Sequence, residues 1–156
     1  MRVHLAYGKS GLDIDVPAER TTVVEPRFLP ARPDPQAALR QALAAPIGSP
    51  PLRDLVAPHD TVGIVVSDIT RPMPTAEVVR AIMSELPQTP PENVTIFIGL
   101  GTHRAMTAAE VGVVLGDLAQ RYRVSQTDCR DAAAFTTVGH SRHGAPISFV
   151  SDFLRC

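Results

Sequence analysis

The chain is 156 residues long, enough for one domain that buries roughly two-thirds of the surface its unfolded chain would expose. Fifteen Lys and Arg against sixteen Asp and Glu leave a formal net charge of -1 with no long block of either sign, which argues against a nucleic-acid or lipid-binding surface. Only two cysteines, no apolar core of a signal peptide and no run of bilayer length exclude a disulfide framework and predict a soluble, cytoplasmic protein with no membrane partner.

Arg2 to Tyr7 alternates moderately and predicts a first strand, with Gly8-Lys9-Ser10-Gly11 as its turn. Leu12-Asp13-Ile14-Asp15-Val16 alternates strictly between apolar and acidic residues, the half-exposed pattern of a hairpin partner near a sheet edge. Residues 17 to 33 read as irregular, with a short extended piece at Val23-Val24. Asp34-Pro35 opens a helix, an acceptor followed by proline where a missing N–H costs nothing, and the helix runs through Leu43 to end before Pro46. Pro46 to Ser49 is a turn, and Pro51 to Val56 a short helical segment.

Val62-Gly63-Ile64-Val65-Val66 is a continuous apolar run, the sign of a strand buried on both faces in a parallel sheet. It meets a sudden polar cluster, Ser67-Asp68-Ile69-Thr70-Arg71-Pro72, and Pro72 predicts that pairing stops there. Thr75 is placed to cap a helix from Ala76 to Leu86, whose apolar residues recur at helical spacing. Val94 to Ile98 is a second buried strand, followed by Gly99-Leu100-Gly101-Thr102-His103-Arg104. Thr107 and Glu110 form a T-x-x-E capping box for a helix that Gly116 ends. The order β-α-β-α predicts an α/β fold: a mostly parallel, Rossmann-like sheet with helices on both faces. Val124 to Asp128, Phe135 to Val138 and Ile147 to Val150 are later strand candidates. A strand so near Cys156, with no helix after it, predicts a single domain, 1–156, that is incomplete at its C-terminus: a fragment, or a chain that needs a partner.

Two parallel strands joined by a helix bring their carboxyl ends to one edge, where open α/β sheets hold ligands. Asp68, Thr70, Arg71, His103 and Arg104 could then face one crevice. For Asp68 and Arg71 two readings carry even weight: a local turn in which the two pair, or Arg71 as a bidentate clamp for a carboxylate or phosphate. A lone histidine at a strand end is more often structural. His103 is raised above that by Gly99 and Gly101, which permit close approach of a ligand, and by the helix N-terminus just downstream, which favours an anion. Imidazole is also the commonest proton-transfer group near neutral pH. Gly99-Leu100-Gly101 lacks the third glycine of a dinucleotide fingerprint. His140 and His143 read as a solvated turn, with a metal site requiring ligands from elsewhere. Cys129 has no visible base partner and reads as structural, and His4 and His59 carry no motif.

Taken together, Tyr7-Gly8-Lys9, Pro46-Ile47-Gly48-Ser49, Ser67-Asp68-Ile69-Thr70-Arg71-Pro72 and Gly101-Thr102-His103-Arg104 resemble the N-terminal domain of the lactate racemase family, enzymes that use a nickel-pincer nucleotide. The resemblance implies that His103 is one of two catalytic histidines that remove and return the substrate α-hydrogen as a proton-coupled hydride transfer. It implies that Arg71 holds the substrate carboxylate with Asp68 beside it, and that Asp68, Thr70, Gly101, Thr102 and Arg104 contact the cofactor. The second histidine, the cofactor-tethering lysine and the nickel-binding histidine of the family have no counterpart here. The only lysine is Lys9, and Thr127 stands where many members have histidine. The expected function is thus the N-terminal part of a 2-hydroxy acid racemase or epimerase, inactive alone, with the missing C-terminal portion and the small 2-hydroxy acid as its partners and self-association favoured by exposed sheet. The alternative is a non-catalytic module that binds a small carboxylate or nucleotide phosphate. A third reading, a metal hydrolase built on His140 and His143, predicts bound zinc.

Overall fold

The computed structural model describes residues 1–156, and contacts divide them into two units, Met1–Arg32 and Pro33–Cys156. In the first, β1 (Arg2–Leu5) and β2 (Leu12–Asp15) pair antiparallel, Arg2 opposite Asp15 and Leu5 opposite Leu12. Gly11 makes the turn possible. Its φ of 78° is left-handed, its N–H bonds the Tyr7 carbonyl at 2.9 Å, and the His4 ring occupies the space a Cβ would need. A 3-10 turn, Ala18–Arg20, follows; Val23 and Val24 join no strand.

The second unit begins with α1 (Pro35–Ala44), capped as expected by the Asp34 carboxylate on the Ala37 N–H at 2.9 Å. Leu52–Asp54 is a single 3-10 turn. Then come β3 (Val62–Ser67), α2 (Thr75–Ser84), β4 (Val94–Gly99), α3 (Ala108–Leu115), α4 (Leu118–Arg121) and β5 (Arg123–Gln126). The three strands form a parallel sheet in the order β3-β4-β5, the α/β arrangement that the alternation of elements predicts. No helix is long and apolar enough to cross a membrane.

One sheet face, carrying Ile64, Val66, Val94, Ile96 and Ile98, joins Val79 of α2, Val111 and Leu115 of α3 and Leu118 of α4 in one apolar core. Leu115, Ile96 and Val94 are wholly buried, each contributing about 1.5–3 kcal/mol by leaving water. On the second face lie the C-terminal 3-10 helix, Phe153–Arg155, and, beside it, the side chains of Phe135 and Phe149. Phe153 meets Phe97 edge to face at 5.4 Å, over Gly63, and the Thr61 hydroxyl donates to the Arg155 carbonyl at 3.0 Å. Towards the carboxyl end this face is open: Val65 is 59% exposed beside an apolar cavity of ≈ 460 Å³ walled by Phe97, Phe135, Phe149 and Phe153.

Two local expectations change. Thr75 is the first helical residue, not the cap: Pro72 and Pro74 steer the chain so that its hydroxyl turns back to the Met73 carbonyl, and its side chain is buried. The last two strands, β6 (Phe135–His140) and β7 (Pro146–Val150), pair antiparallel with each other and not with the sheet. The short loop between them allows a hairpin, whereas joining the parallel sheet demands a long crossover.

Candidate functional site

β3 and β4 run in parallel register from Val62 opposite Val94 to Ser67 opposite Gly99, so the two chains leave the sheet side by side. Asp68 is the first residue beyond β3 and is only 6% exposed. One carboxylate oxygen accepts the Thr70 hydroxyl at 2.6 Å and the Thr70 N–H at 3.3 Å, while its carbonyl accepts the Arg71 N–H at 3.2 Å. This local turn satisfies a carboxylate that could not otherwise be buried. The other carboxylate oxygen lies 2.6 Å from Nδ1 of His103.

His103 is delivered by a turn in which its N–H donates to the Leu100 carbonyl at 3.0 Å, with Gly101 at φ 59° permitting the reversal. The Thr70 hydroxyl and then the His103 ring hold the Asp68 carboxyl below the usual range, outweighing the desolvation that would raise it. An ionised carboxylate only accepts, so Nδ1 carries the proton in this contact. In the neutral ring the lone pair then sits on Nε2, and the side chain is 48% exposed. Asp68 and His103 thus form a dyad: a buried anion fixing the tautomer of a solvent-facing imidazole.

The remaining candidates are distributed around the dyad. Arg71 sits next to it in the chain, but its guanidinium makes no hydrogen bond or ion pair. It lines an open cleft with Pro72, Pro74, Arg80 and Val113, and His103 is not part of that wall. Thr70 belongs to the Asp68 turn, and Gly101 also borders the apolar cavity on the second face. Thr102 is exposed. Arg104 turns to α3, where it grips Glu110 through two bonds of 2.7 and 2.8 Å. Glu110 also takes the Thr107 N–H at 2.8 Å, completing the capping box, and Arg104 with Thr107 pulls its pKa down to about 2.

Two residues that no motif marks complete the frame. Gln126, the last residue of β5, faces the backbone of Met106, accepting its N–H at 2.8 Å and donating to its carbonyl at 3.1 Å. The Met106 sulfur in turn accepts the Ile69 N–H at 3.2 Å. The only sequence signal for either is position: a polar residue ending a strand, and a buried methionine between two loops.

The other sequence candidates stand apart. His140 closes β6, and His143 in the following turn accepts from Arg142 at 2.9 Å. No group of three or more His, Cys, Asp or Glu is placed to hold a metal ion. Cys129 is exposed at the rim of the apolar cavity, and desolvation raises the thiol of Cys156.

Residues 7–156 match the family model of the lactate racemase N-terminal domain. The lactate racemase of Thermoanaerobacterium thermosaccharolyticum is 28% identical over 142 residues, 88% of this chain and 33% of its own length. The apoprotein structure of lactate racemase from that organism superposes with a TM-score of 0.77 at 27% identity, over 96% of this chain and 36% of that one. A Thermotoga maritima protein of known structure shares the fold, with a TM-score of 0.57 at 19% identity over 78% of this chain and 30% of its own. The chain therefore spans about a third of the length of these relatives.

Proposed function

The chain belongs to the lactate racemase N-terminal domain family, and on that premise we propose that it supplies the proton-transfer and anion-binding part of a 2-hydroxy acid racemase or epimerase. The observation that carries this reading is the dyad: a buried carboxylate 2.6 Å from the Nδ1 of a half-exposed histidine. In this reading the substrate carboxylate is held by Arg71, three residues beyond Asp68 and with an unpaired guanidinium in the adjoining cleft, through the paired bonds its planar fork favours. Nε2 of His103 is placed to take the proton of the substrate hydroxyl and to return it, with Asp68 stabilising the imidazolium between the two events. The hydride acceptor that such an exchange requires would be supplied by the part of the longer relatives that this chain does not span. Thr70 keeps Asp68 ionised and oriented. Thr102 and Gly101 border the space the cofactor would use, and Arg104 shapes that border through the α3 cap.

The residues present supply neither a tether nor a set of metal ligands for the nickel-pincer nucleotide of the family. Lys9, the only lysine, sits in the β1–β2 turn, and no three metal-ligating side chains converge. Cofactor attachment and the second base are assigned instead to the part of the longer relatives that this chain does not span. The open part of the second face, at Val65, is assigned to contact with that part, since parallel sheets are normally covered on both sides. Alone, the chain is expected to bind and not to racemise.

Calorimetric titration of the chain with lactate and larger 2-hydroxy acids tests the reading. Weak binding is expected, reduced in Arg71→Ala by about 1.5–3 kcal/mol, the usual worth of a charged hydrogen bond. Equal affinity in the two proteins removes Arg71 from its role. A second reading, a binding module without chemistry, draws on the same free arginine; inorganic phosphate outcompeting every 2-hydroxy acid would favour it.

A further inference from the structure

Each half of the Asp68–His103 contact lies on an irregular loop. The loop after β3 is exposed at Ile69, Thr70 and Arg71, and the loop after β4 is exposed from Gly101 to Ala105 and reverses at a glycine. A bond of 2.6 Å between two such loops needs something that holds them in register.

We infer that Gln126 is a positioning residue, whose amide, acting through Met106, locks the two loops together and thereby sets the geometry of the dyad. The Gln126 amide meets both backbone polar groups of Met106, as a neighbouring strand would, and so continues the β4–β5 ladder past its last residue pair, Ile98 and Gln126. This fixes the far end of the loop that carries His103. Met106 is 6% exposed, so its thioether is pinned among core residues, and from there it accepts the Ile69 N–H next to Asp68. Three strand ends are tied in sequence: β5 to the His103 loop through Gln126, and that loop to the Asp68 loop through sulfur. Met106 adds no charge and the Gln126 side chain hydrogen-bonds to Met106 and to neither dyad residue, so their effect reaches His103 through backbone placement.

The inference rests on the reading of His103 as an Nδ1-protonated base and specifies what holds it in that form. Ring nitrogen signals of His103 in uniformly 15N-labelled chain report the tautomer directly, and exchange of the Ile69 N–H reports the sulfur contact. In the wild type, Nδ1 should carry the proton and Ile69 should be protected. Gln126→Leu, of similar size but without donor or acceptor, should shift the ring towards the mixed tautomers of free imidazole and speed Ile69 exchange by roughly three- to tenfold, the loss of one weak hydrogen bond. Met106→Leu keeps the core volume and should do the same, which preserves the test if Gln126→Leu does not fold. Val94→Ala, which loosens the core at the amino end of β4, the opposite end of the sheet from the clamp, should leave the tautomer unchanged; an equal shift there would mean general softening and overturn the inference. A wild-type ring already in mixed tautomers would defeat the proton-transfer reading itself. A wild-type Nδ1–H ring that stays unchanged in both clamp variants would defeat the clamp alone.

Discussion

At the scale of single residues, the site depends on which side chain each charge finds. Asp68 and His103 meet because each is among the first residues beyond two strands in parallel register, and that much follows from the apolar runs and the polar clusters that end them. Arg104 illustrates what spacing alone misses. Glu110 is legible as the acidic member of a capping box, but it has a second carboxylate oxygen, and Arg104 six residues earlier uses it. The consequence is a pH dependence with a definite sign. Glu110 has its pKa depressed to about 2, so its pairing stabilises the folded chain fully above about 4.5 and is lost as pH falls from there through 2. Urea midpoints measured across that window should fall more steeply in the wild type than in Glu110→Gln, the difference between the two curves closing at the acid end. Asp68, also depressed by Thr70 and His103, contributes loss of the same sign in both proteins.

At the scale of elements, helices with explicit caps are readable and contacts between distant elements are not. Asp34-Pro35 and Thr107-x-x-Glu110 name their helices because the capping chemistry is local. Thr75 has the right residue type in a context, between two prolines and a strand end, that gives it another partner. The four residues of α4 are too few to show a period, and the β6–β7 hairpin looks, residue by residue, like any pair of short strands. Gly63 is the clearest case of a role invisible in the sequence. Within β3 it reads as a weak point, but a Cβ there would lie 3.2 Å from the Phe153 ring, which is already held by Phe97 and Phe149. Gly63→Ala should therefore cost about 1–3 kcal/mol of stability through overpacking, read from chemical denaturation. In the Phe153→Ala background the same substitution should cost less, since the ring is gone and only the Cys156 Cβ remains at 3.2 Å. Additive losses would show that Phe153 does not rest on Gly63.

At the scale of the whole molecule, the fold class was legible and its extent was not. Alternating apolar runs and amphipathic helices specify a parallel α/β sheet, and the structure has one, built of three strands with α2 and α3 on one face. The other face keeps an apolar cavity among Val65, Phe97 and Phe149, and the chain spans about a third of the relatives it matches. Pairing Asp68 with His103 needs only the first two strands of that sheet; the clamp from Gln126 needs the third. The reading of this chain as the substrate-facing part of a larger racemase is therefore a claim about one edge of a small sheet, and it can be tested there. The most direct measurement follows the His103 ring by NMR while lactate or a larger 2-hydroxy acid is added to the wild type and to Arg71→Ala. Saturable movement of the Nε2 signal in the wild type, absent in the variant, is the predicted result. A ring that does not respond, or that responds equally without the Arg71 guanidinium, would contradict it.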